Sequence, residues 1–65
     1  MTQKIHKYPH PVDLDTATTF GQYGANLYKD GVFVEGRIYE MYSGHMMMNE
    51  IRELKQFEGY DRVDW

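Results

Sequence analysis

Near the middle of the chain, Asp30-Gly31 separates two segments rich in β-branched and aromatic residues. Asp-Gly suits a two-residue type I′ hairpin turn, in which both central residues take positive φ. Such a turn fixes the register, so that residues pair when their numbers sum to 61. One face then carries Lys29/Val32, Leu27/Val34, Ala25/Gly36, Tyr23/Ile38 and Gly21/Glu40. The other carries Tyr28/Phe33, Asn26/Glu35, Gly24/Arg37, Gln22/Tyr39 and Phe20/Met41. The first face is a continuous apolar stripe, and a slip of one residue would turn that stripe to solvent. The dipeptide therefore predicts an antiparallel β-hairpin over about 20–29 and 32–42.

What the hairpin packs on is also legible. Ser43 is a good helix N-cap. Met47, Ile51 and Leu54 follow at helical spacing, flanked by Met48 and Phe57. Gly59 stands where a C′ glycine ends a helix. A C-terminal α-helix over about 44–58 is predicted, with a short tail over 60–65. Gly36 marks a bulge in the second strand or a place where a helix crosses closely. If Glu35-Gly36 were a second turn, the segment would become a short meander.

The first half is less regular. Residues 1–15 read as an extended arm, because Pro9 and Pro11 bracket His10 and forbid regular hydrogen bonding. Lys4, His6, Lys7 and His10 make the arm basic, and Ile5, Tyr8 and Val12 offer apolar side chains to pin it. Over 16–28, threonines and aromatics favour a strand leading into the turn. The rival is a helix capped by Asp15, which Gly21 and Gly24 would each weaken by ~1 kcal/mol. The expected organisation is an arm over 1–15 and a single small α+β domain over 16–65. Both hairpin edges stay open in this arrangement. Open edges invite a homodimer or docking on a larger protein.

Composition limits the function. A chain of 65 residues buries only about 60% of its unfolded surface, and such chains usually need a disulfide, a metal or a second subunit. The absence of cysteine excludes disulfides, thiolate metal sites and thiol catalysis, and it fits a reducing, cytoplasmic setting. No apolar run approaches the ~18 residues of a membrane span. The segment after Met1 lacks the apolar stretch of a signal peptide. The net charge of −3 argues against a dedicated nucleic-acid binder.

Residues that suggest chemistry have simpler explanations. His6 and His10 are spaced as metal ligands only on a helix, which the prolines forbid. His45-Met46-Met47-Met48 holds soft thioether ligands but reads better as adaptable helix packing. Glu40, Glu50 and Glu53 read as solvated carboxylates. Ser43, the only serine, is explained by capping, and no triad partner stands at a telling position. The glycines match no phosphate-loop spacing. No catalytic residue, metal or cofactor is expected.

The more informative constellation is the second hairpin face. Tyr28, Phe33, Arg37, Tyr39 and Gln22 share it, in the mixture of aromatic, arginine and amide groups found at interface hot spots. Alternatively the arm (Tyr8, Val12) or the tail (Tyr60, Trp65) closes over that face as a second core. The functional expectation is a small non-catalytic protein that binds a larger protein and modulates or inhibits it by steric occlusion. The expected setting is by association that of a phage or mobile-element accessory protein inhibiting a host system. The alternative is a structural, cement-type subunit of a larger assembly. A nucleic-acid-binding β-ribbon is less favoured, because the face carries a single base, Arg37.

Overall fold

Asp30 and Gly31 both adopt positive φ, 53° and 77°, in the computed structural model, which describes residues 3–65. The turn joins β2 (Tyr23–Lys29) to β3 (Val32–Glu40). Before the hairpin come β1 (Lys4–Tyr8) and a short helix, α1 (Leu14–Thr19). After it come α2 (Gly44–Phe57) and β4 (Arg62–Asp64). The four strands form one antiparallel sheet in the order β1-β3-β2-β4. The protein is thus a small α+β domain, a hairpin-centred sheet with a C-terminal helix across it. Among the described residues no helix is long and apolar enough to cross a membrane.

The predicted register holds only beside the turn. Lys29↔Val32 and Tyr28↔Phe33 pair as expected, but Leu27 faces Glu35, Ala25 faces Arg37 and Tyr23 faces Tyr39. Val34 is the extra residue of a β-bulge, and every β3 side chain beyond it changes face. The glycines supply a physical reason. The shift places Gly24 and Gly36 on the same face, where other segments press against them. A Cβ on Gly36 would stand 2.6 Å from the His10 carbonyl oxygen and 2.9 Å from Val12 Cγ1. One on Gly24 would stand 3.0 Å from Leu14 Cδ2. The close crossing expected at Gly36 is therefore real, but the arm makes it, not a helix, and the bulge lies at Val34.

The other face meets α2. Ala25, Leu27 and Tyr39 pack with Met47, Ile51 and Leu54 of α2 and with Tyr60 and Val63 from the C-terminal end. The Met47-Ile51-Leu54 stripe is buried as predicted, whereas its expected flanks, Met48 and Phe57, are exposed. Ser43 Oγ accepts from Met46 N at 3.2 Å, the expected cap. Gly59 adopts φ 80°, and Tyr60 N–H returns to the Leu54 carbonyl at 3.3 Å. That reversal turns the tail back along β2 as β4, so the tail is part of the core.

The hairpin edges are consequently not open. β1 from the arm pairs with β3, and β4 from the tail pairs with β2. The arm is a strand followed by a crossing, not a free extended segment. Its crossing is fixed by Asn26, buried at 7% exposure. Asn26 Oδ1 accepts from Val12 N at 2.8 Å and Nδ2 donates to Val12 O at 3.1 Å. One amide thereby satisfies both backbone groups of Val12. The strand expected from residue 16 begins only at Tyr23. Residues 14–19 are helical instead, capped by Asp13, which accepts from Asp15 N at 3.0 Å and Thr16 N at 3.3 Å. The helix alternative was right in type over this short stretch, but its cap is Asp13 rather than Asp15, and it stops before the two glycines.

Candidate functional site: an edge strand beside an open cup

The five residues of the expected interface do not share a face, because the bulge separates them. Tyr28 and Phe33 remain together as an edge-to-face pair with ring centroids 5.8 Å apart. The Arg62 guanidinium lies 4.8 Å over the Tyr28 ring and binds Asp64 through two hydrogen bonds of 3.0 and 2.9 Å. The tail thus covers part of this pair. Gln22 lies across the sheet end, donating to Glu40 Oε1 at 3.0 Å.

Arg37 and Tyr39 turn to the α2 side. Tyr39 is 0% exposed, so it offers nothing to a partner. Its hydroxyl donates to Glu50 Oε2 at 3.0 Å and accepts from Arg37 Nη1 at 3.3 Å. Arg37 also binds Glu35 through Nε and lies 3.6 Å from Glu50. Glu50, expected on a solvated helix face, is half-buried in this network. Burial pushes the Tyr39 hydroxyl well above its ordinary pKa, against the opposing pull of Arg37. Burial alone would lower the Arg37 pKa, but the hydrogen bonds to Glu35 and Tyr39 outweigh it and raise the value. This constellation ties α2 to β3.

An accessible concavity lies on the α1 face. It is an open cup of about 400 Å³ between α1 and the β1 side of the sheet. Ile38, Ala17 and Val12 form its apolar interior, and Tyr8 and Phe20 stand at its margin. Phe20 is 73% exposed, immediately after α1. Tyr8 is exposed, its ring centroid 5.6 Å from that of His10. At one end, His6 Nε2 hydrogen-bonds Glu40 Oε2, while Gln22 holds the other carboxylate oxygen. The His6 hydrogen bond holds the Glu40 carboxyl below its ordinary pKa. Among the described residues no group of three metal-ligating side chains converges.

Beside the cup runs β1. All five of its residues are exposed, and its outer edge has no strand against it among the described residues. Lys4, His6 and Tyr8 stand opposite Glu40, Ile38 and Gly36, on the cup face; Ile5 and Lys7 stand opposite Tyr39 and Arg37, on the α2 face. Sequence reasoning missed these residues because it took the arm as unpaired. The signal was present in Lys4-Ile5-His6-Lys7-Tyr8, a short run with β-branched and aromatic residues stopped by Pro9.

The fold and this surface together define a small antiparallel α+β domain whose five-residue edge strand, β1, carries two lysines beside an adjoining cup. Comparison with protein-family models, curated proteins and solved structures finds no match.

Proposed function

We propose that this is a non-catalytic protein-binding protein. It engages a larger partner through the β1 edge and the cup beside it, and modulates that partner by covering the surface it occupies. The observation that carries this reading is the pairing of a fully exposed edge strand with an open cup rimmed by Tyr8 and Phe20. A sheet edge offers main-chain hydrogen bonds to an extended segment, and an adjacent pocket selects a side chain. Exposed aromatics supply the anchors of such contacts. The cysteine-free composition supports a reducing, cytoplasmic setting. The polar groups at the cup end, His6, Glu40 and Gln22, are engaged with one another, an arrangement that suits an orienting rim better than a reaction centre.

A photo-crosslinking amino acid at Phe20, with a control at Phe57 in α2, identifies the partner in the native host. The affinity of that partner is then measured for variants. Tyr8→Ala and Phe20→Ala should each weaken it, by about 2 kcal/mol at a hot spot, while Phe57→Ala leaves it unchanged. Wild-type affinity in both Tyr8→Ala and Phe20→Ala, with the fold intact, rejects this function.

A further inference from the structure

The charge of this chain is divided along its length. The first twelve residues carry Lys4 and Lys7 and no carboxylate, while the remainder carries all ten Asp and Glu. Folding places those two lysines on β1, the longer of the two edge strands among the described residues. Neither has a carboxylate within ion-pair distance among the described residues. The longer of the two sheet edges therefore carries two lysines and no carboxylate of its own. The opposite edge, β4, is three residues long, and its Arg62 is already paired with Asp64.

We infer that β1 receives an acidic extended segment of a partner protein as a fifth strand, with two carboxylates three residues apart set against Lys4 and Lys7. This rests on the protein-binding reading above and names the chemistry of the partner. The spacing follows from the register. Lys4 stands on the cup face and Lys7 on the α2 face. Successive residues of an added strand also alternate between faces. Carboxylates opposite both lysines must therefore be separated by an odd number, and the lysines themselves are three apart. Between them the segment presents a β-branched residue to Ile5 on the α2 face. A residue opposite Tyr8 lies on the cup side. Backbone pairing supplies attachment, and the two exposed ion pairs select the partner, since such pairs contribute modestly to affinity. The same lysines disfavour a second copy of this chain at the edge, where like charge would be concentrated.

The test uses a capped, fluorescent peptide built on Thr-Val-Glu-Thr-Val-Glu-Thr and a control with lysine in place of glutamate. The acidic peptide should bind the full chain, weaken with salt, and slow hydrogen exchange of the Lys4–Tyr8 amides but not those of β4. In the double variant Lys4→Glu/Lys7→Glu its affinity should fall about tenfold, and the lysine peptide should become the preferred ligand. Both lysines are exposed, so the fold should survive, which the exchange pattern of β2 checks. No binding at about 1 mM overturns the inference. So does a preference that the charge swap leaves unchanged, or protection of β1 by self-pairing without peptide. If Tyr8→Ala and Phe20→Ala weaken the crosslinked partner while the acidic peptide fails, the protein-binding function stands and the acidic-strand inference falls. If neither set responds, both fall.

Discussion

At the scale of single residues, backbone constraints dominate. Gly36 sits under the arm, with the His10 carbonyl where a Cβ would be. Gly36→Ala should therefore lower stability by about 1–3 kcal/mol, measured by denaturant unfolding. Met41 is the converse case. It holds φ 64° without being glycine and is half exposed. Left-handed backbone costs an ordinary residue about 1–2 kcal/mol, so Met41→Gly should be neutral or raise stability by up to about 1 kcal/mol. Two carboxyls link stability to pH. Hydrogen bonds from Thr16 lower the pKa of Asp13, and the His6 hydrogen bond lowers that of Glu40. A lowered folded pKa means that the native state favours the ionised form. Its contribution is complete above the ordinary carboxylate range near pH 4 and is lost as pH falls through the folded values. Melting temperature should thus drop on acidification below about pH 4, and less so in Asp13→Asn/Glu40→Gln.

Among the elements, β2 explains the architecture. Gly24, Ala25, Asn26 and Leu27 are buried in succession because both faces are covered. α2 lies over Ala25 and Leu27, while α1 and the arm lie over Gly24 and Asn26. Ile51→Ala or Leu54→Ala should each cost about 2–5 kcal/mol. In a domain of this size that is a large part of total stability, so thermal melts should show most of the cooperative transition lost. Deleting residues 60–65 should be as damaging, because Tyr60 and Val63 complete the core and Asp61 Oδ2 accepts from the turn amide of Asp30 at 2.8 Å. A fold that melted normally without this segment would mean that β4 is dispensable. The hairpin and α2 were readable because each is specified by neighbours in sequence: a two-residue turn, a serine cap and a helical stripe. β1 and β4 were not, since each is stabilised only by a partner strand distant in the chain.

For the whole molecule, covering the hairpin edges changes what is expected of assembly. A hairpin with open edges called for a second copy, whereas this sheet receives its outer strands from its own chain. The protein should sediment as a monomer, with a melting temperature that does not depend on concentration; a rise with concentration would reveal association coupled to folding. The sequence by itself determined the turn at Asp30-Gly31, the span and buried stripe of α2, and the small α+β class. Local rules suffice for these, because turn dihedrals, caps and periodic burial are properties of adjacent residues. Only the tertiary structure decided the bulge at Val34, and with it the face of every later β3 side chain. The register was a compromise among distant segments. Gly24 and Gly36 had to lie together beneath α1 and the arm, and Tyr39 had to reach Glu50 beneath α2. One extra residue in β3 satisfies both demands. It also turns Arg37 and Tyr39 to the α2 side and leaves Gly36 and Ile38 facing the arm and the cup.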